Sequence, residues 1–283
     1  MSWIASINHW AMPGVAVREA AALAKRCGFG AIELNLDEDG EVGLTTTESD
    51  ARELRDAVEG QGLQIAGVAT GLYWRYPPTS DDPAVRRRAQ DVAKRQLAMA
   101  AALGAGAILV VPGKAGEMMG GPVVRYDIAY ARAEEFLAAL APEAESARVH
   151  LAIENVWNKL LLSPLEMKRF VEGPNSDHVG VYFDVGNILL YGYPEHWIEI
   201  LGPRIRRVHL KDFRRSVGTL DGFVDIGSGD VDWPAVGAAL RGIGYQGPLT
   251  AEVFPSAGDR ADIEGYVAHI GRQVADVMQR MQG

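Results

Sequence analysis

Cys27-Gly28-Phe29-Gly30-Ala31-Ile32-Glu33 is the stretch on which the fold turns: a helical pattern ends on glycine and an apolar, strand-like run begins at once. The same phrase returns at Leu103-Gly104-Ala105-Gly106-Ala107-Ile108 and at Ile243-Gly244-Tyr245-Gln246-Gly247-Pro248-Leu249. Glycine supplies the left-handed residue that ends a helix and turns the chain back toward a sheet. Outward from these phrases, short apolar runs alternate with longer helical patterns, the mark of repeated βα units around a parallel sheet. Strands are predicted at residues 3–7, 31–34, 64–69, 107–111, 150–154, 179–184, 205–210 and 249–253.

Several intervening helices carry start and stop signals. Ser49 and Asp50 precede a helix over 51–59, with Gly60 and Gly62 after it; Asp82 and Pro83 open one that runs to about Leu103. Ser163 and Pro164 open one over 165–171, Trp233 and Pro234 open another that Gly242 and Gly244 end, and the last covers about 262–281. Eight units repeating at about 30 to 40 residues fit a single-domain (β/α)8 TIM barrel over residues 1–283. The competing open doubly wound sheet would place Gly-x-Gly-x-x-Gly after its first strand, where Ile7-Asn8-His9-Trp10-Ala11-Met12-Pro13-Gly14 stands instead.

The 283 residues are 48% hydrophobic and 23% charged, enough apolar material for a large core. A net charge of -9 argues against a nucleic-acid partner, which would need a basic face. Arg86, Arg87, Arg88, Lys94 and Arg95 fall along one predicted helix and read as a solvated face. A lone cysteine, Cys27, forms no intrachain disulfide and no cysteine-based zinc cluster. With no apolar run long enough for a membrane span and no secretory pattern in residues 1–10, a cytoplasmic protein with no membrane partner is expected.

In such a barrel the active site lies at the C-terminal ends of the strands. Glu154 ends the fifth strand, Asp184 the sixth, His209 stands near the end of the seventh and Glu252 near the end of the eighth. Any one of them alone reads as readily as a helix cap, an ion pair or a core histidine. Four at one level of four consecutive strands, each beside apolar neighbours that would make an unpaired charge costly, suit a divalent cation. Mn²⁺ is the expected ion, with Mg²⁺, Co²⁺ and Zn²⁺ compatible with the donor set. Further candidates at the mouth are His9, Glu33, Trp74, Asn155, Asn158 and Asn187, with Lys211 and Arg215 as charge partners for a phosphate. No glycine-rich phosphate cradle is evident after the last two strands.

The runs Ala152-Ile153-Glu154-Asn155, Val179-Gly180-Val181-Tyr182-Phe183-Asp184-Val185-Gly186-Asn187, Val208-His209-Leu210-Lys211-Asp212-Phe213 and Leu249-Thr250-Ala251-Glu252 resemble the sugar phosphate isomerase/epimerase family, whose barrel is xylose-isomerase-like. Gly227-Ser228-Gly229-Asp230-Val231-Asp232-Trp233 looks like that family's Gly-x-Gly-x-x-Asp-Trp loop. The resemblance implies that Glu154, Asp184, His209 and Glu252 hold the metal and that Glu154 and Glu252 also move protons, one on each face of a ketose or ketose phosphate. It also implies a homo-oligomer, dimer or tetramer. Free-ketose 3-epimerases carry a further glutamate where this chain has Leu160 and a histidine where it has Asn187, while Arg215 matches their substrate-binding arginine. These departures keep a second reaction in view, β-elimination from a keto-sugar or 3-keto-glycoside by a lyase. An endonuclease IV-like DNA-repair enzyme is disfavoured by the charge and by only six histidines. A non-catalytic sugar-binding barrel is the remaining alternative.

Overall fold

The computed structural model describes residues 3–117 and 120–283. Strands β1 (Ile4–Asn8), β2 (Ala31–Leu36), β3 (Gln64–Thr70), β4 (Ala107–Val110), β5 (His150–Glu154), β6 (Val179–Asp184), β7 (Ile205–Leu210) and β8 (Pro248–Ala251) close into a barrel, every neighbour parallel and β8 returning to β1. The helices that follow them in turn are α1 (Val17–Arg26), α2 (Glu48–Gly60), α3 (Pro83–Leu103), α4 (Tyr126–Ala147), α5 (Pro164–Glu172), α6 (Pro194–Leu201), α7 (Trp233–Gly242) and α8 (Ile263–Gln282). Between β7 and α7 the chain makes a small antiparallel hairpin, Asp212–Phe213 with Phe223–Val224.

Strands covered on both faces need apolar residues at every position, and β4 and β6 are buried throughout. α1 buries Val17, Ala20, Ala21 and Ala24, the one-sided stripe of a helix laid on a sheet. Inside the barrel Gly67 is required: a Cβ there would stand 2.8 Å from the Tyr182 hydroxyl, which reaches across the interior from β6.

The strand ends differ little from expectation. β1 is shifted by one residue, and β8 stops at Ala251, so Glu252 stands just beyond the ladder. α2 begins at Glu48 because Thr47, paired with Asp50 in a capping box, is the residue that caps it. The basic residues of α3 meet separate local partners: Lys94 pairs with Glu143 at 3.0 Å, Arg86 donates to the Ser80 carbonyl at 2.7 Å and Arg88 lies over the Tyr76 ring. Among the described residues no helix is long and apolar enough to cross a membrane.

Candidate active site

β5, β6, β7 and β8 are adjacent in the barrel, and their C-terminal ends bring Glu154, Asp184, His209 and Glu252 together. One ligand atom from each lies within 4.8 Å of all the others, and all four residues are buried. His209 Nδ1 is 2.8 Å from Glu252 Oε2, 3.8 Å from Glu154 Oε1 and 4.0 Å from Asp184 Oδ2. These same four atoms are buried without a hydrogen bond of good geometry. Three buried carboxylates and an imidazole nitrogen facing one another at this range make an arrangement that a cation would complete. The donors, three carboxylates and one imidazole, fit a divalent ion of the manganese or magnesium type and also admit zinc or cobalt.

Lys211 enters the same cluster, its Nζ 2.7 Å from Glu252 Oε2 and 3.2 Å from Asp184 Oδ2. Burial alone would raise Glu252, but the charges of Lys211 and His209 outweigh it and hold this carboxyl well below the usual range. Glu154 goes the other way: burial, reinforced by the Glu252 charge, pushes it up to about 7. Burial likewise raises Asp184, against the pull of Lys211.

Behind the cluster stands Glu33, which lies in the middle of β2 because the strand runs on to Leu36, beyond the end expected from the sequence. Its Oε2 accepts from His209 Nε2 at 2.8 Å and also from Asn8 Nδ2, while its Oε1 accepts from the Tyr182 hydroxyl. With Asn8, Tyr182 and His209 all donating to it, Glu33 fixes His209 Nε2 as a hydrogen-bond donor and leaves Nδ1, the nitrogen that would ligate an ion, aimed at the three carboxylates. Burial opposes charging His209, yet the carboxylates of Glu33 and Glu252 raise its pKa well above the ordinary value.

A cavity of about 590 Å³ opens from this cluster to the surface. Trp74, Asn187, Lys211 and Glu252, all singled out from the sequence, line it. Asn187 Nδ2 donates to the Asn155 carbonyl at 3.0 Å, and the other expected substrate contacts likewise have polar atoms engaged by the protein itself. Glu33 is fully buried behind His209, a support for a ligand rather than a wall of the cavity. Asn155 clamps β5 to β6 by donating to the Asp184 carbonyl at 2.7 Å and accepting from the Asp184 amide at 2.8 Å. Asn158 donates to the Gly113 carbonyl at 2.8 Å and accepts from the Leu160 amide at 3.0 Å, shaping the loop after β5. Leu160 itself is packed in the core. His9 bonds the Val15 carbonyl at 2.8 Å. Arg215 is half exposed, and its amide and guanidinium face Asp230.

Asp212 was read only as part of a motif, yet it organises the loop before α7. Its carboxylate accepts from the amides of Phe213, Gly227, Gly229 and Val231 and lies 3.3 Å from Trp233 Nε1. Close approach is possible because residue 229 is glycine: a Cβ there would fall 2.2 Å from Asp212 Oδ1. Thus the Gly-x-Gly-x-x-Asp-Trp segment encloses a buried carboxylate and leaves no cradle free for a phosphate. Asp212→Ala would orphan several buried donors. We expect a loss of at least about 2 kcal/mol in urea unfolding, partly recovered in Asp212→Asn.

Residues 21–271 match the family model of the xylose isomerase-like TIM barrel, and the chain belongs to that family. A protein of Escherichia coli strain K12 that carries the provisional name L-ribulose-5-phosphate 3-epimerase SgbU is 29% identical over 83% of each chain. The L-ribulose-5-phosphate 3-epimerase UlaE of Salmonella paratyphi C is 25% identical over 87% of this chain and 85% of its own. Among solved structures, a D-psicose 3-epimerase crystallised in the presence of D-fructose superposes with a TM-score of 0.80 at 20% identity, covering 99% of this chain and 100% of that one. The D-psicose 3-epimerase of Clostridium cellulolyticum H10 gives 0.79 at 18% identity, covering 98% of each chain.

Proposed function

We propose that the protein is a divalent-metal-dependent sugar epimerase or isomerase that moves a proton beside the carbonyl of a ketose. The observation that carries this reading is the set of four buried ligand atoms converging from four adjacent strands. Two families of relatives named as ketose 3-epimerases support the substrate class.

A divalent ion, when bound, supplies Lewis-acid stabilisation of the enediolate charge. The chain supplies the rest. Glu154 and Glu252 are the proton-transfer pair: one carboxylate removes the proton next to the carbonyl and the other returns one to the opposite face, inverting that carbon. Lys211, at the junction of the cluster and the cavity, donates a hydrogen bond to a substrate oxygen, and Asn187 and Trp74 hold the sugar in place. Manganese is our choice of ion, and we expect a cytoplasmic homo-oligomer, dimer or tetramer.

Incubating the manganese-loaded protein with D-fructose, D-psicose, D-tagatose and L-ribulose in heavy water should place solvent deuterium at C3 or C2. No incorporation into any ketose would overturn the reading. A second reaction, loss of a β substituent from a keto-sugar after the same proton removal, is favoured by the apolar outer wall of the cavity and by Leu160 in the core. It predicts a released fragment in place of a recovered epimer.

A further inference from the structure

The outer part of the cavity differs in kind from its floor. Beyond Lys211 and Glu252 the wall is built from Trp74, Trp157, Leu220, Phe223, Phe254 and Tyr266. The rings are held in place: Trp10 stacks on Phe254 with centroids 5.7 Å apart, and Trp157 meets Phe223 at 5.0 Å while its Nε1 donates to the Asn187 carbonyl at 2.8 Å. At the rim, Leu220 and Phe254 stand 41% and 62% exposed, apolar surface facing the mouth rather than the core. A second sugar ring would find few hydrogen-bond partners on such a wall, whereas an apolar ring would find faces to stack on.

The charges point the same way. Of the described residues that line the cavity, Lys211 is the only cation, and it is already held by Asp184 and Glu252. Nearby Lys114 is paired with Glu117 at 2.9 Å, and both Glu117 and Asp225 contribute carboxylates to the lining. A phosphate dianion would enter among like charges, with the ion-paired Lys211 as the one cation of the described lining to meet it. The volume also exceeds the needs of one sugar and falls in the range of about 300–1,000 Å³ that holds drug-sized ligands.

We propose that the substrate is an unphosphorylated keto-sugar carrying an apolar, aromatic substituent, and that Trp157, Phe223 and Phe254 receive that substituent. This rests on the proposed site only for the end of the cavity at which the sugar lies. The test is calorimetric binding to the manganese-loaded protein of two probe pairs: phenyl against methyl β-D-glucopyranoside, differing by the ring, and D-ribulose 5-phosphate against D-ribulose, differing by the phosphate. The phenyl glucoside should bind about tenfold more tightly than the methyl glucoside, and the phosphate more weakly than the free ketose. Phe254→Ala should shrink the phenyl preference severalfold, with Mn²⁺ affinity measured alone as the check that the barrel is intact. Equal binding of the two glucosides, or tighter binding of the phosphate, would overturn the proposal. So would a Phe254→Ala variant that splits an oligomer and leaves the phenyl preference unchanged, for then the rim covers a second copy. Because these are equilibrium measurements, a phenyl preference without any deuterium exchange would support this inference while removing the proposed reaction.

Discussion

Glu252→Gln is expected to lower the rate of solvent exchange into substrate by about 10²- to 10⁴-fold at saturating Mn²⁺, the range for loss of a positioned proton-transfer group. The substitution keeps the shape of the side chain while removing a charge that Lys211 and His209 both face. Metal affinity should fall too, so the rate must be read at several Mn²⁺ concentrations to separate an empty site from a slow one. Glu154→Gln should behave similarly, because in the proposed reaction the two carboxylates serve one substrate carbon. If either variant, fully loaded, exchanges at the parent rate, that glutamate is a ligand only.

Glu33→Gln should weaken Mn²⁺ binding by about 10- to 100-fold, although Glu33 does not face the ion. The cause is local: Glu33 fixes which nitrogen of His209 carries the proton and how the ring is aimed, and Asn8 and Tyr182 hold Glu33 for that task. A neutral amide in its place accepts more weakly and can present its NH₂ to the imidazole. Glu33→Asp retains the charge at a shorter reach and should recover part of the affinity. Thermal unfolding of the metal-free variants supplies the control: a purely structural role would move the melting temperature and leave the dissociation constant of the folded protein alone.

The convergence of the four candidate ligands was legible in the sequence because each lies at or near the end of a strand whose apolar run is clear, and because parallel strands in a barrel end at one level. Glu33 was equally visible as a strand end, but not its task. That depends on β2 facing β7 across a closed interior, a relation between residues 33 and 209 that no local pattern carries. Asp212 was hidden for the same reason, since most of its donors come from the loop beyond the hairpin. The helix limits show the local counterpart. α1, α4 and α6 start after Ala16, Arg125 and Tyr193, none of which caps through its side chain, and α4 ends on Arg148 in a left-handed conformation that glycine usually takes. Asn155 and Asn158 were visible as polar residues following β5, but their bonds to the Asp184 and Gly113 carbonyls depend on segments distant in sequence.

All four candidate ligands come from one contiguous half of the ring, β5 to β8, and from the other half Glu33 reaches across to His209. The segments after β3 and β4, which bring Trp74 and Glu117 to the cavity, are therefore free to diverge without disturbing the inorganic chemistry. Transplanting those two segments from a relative should exchange what is recognised while the reactive arc keeps its geometry, a division of labour that lets one scaffold be retuned a loop at a time.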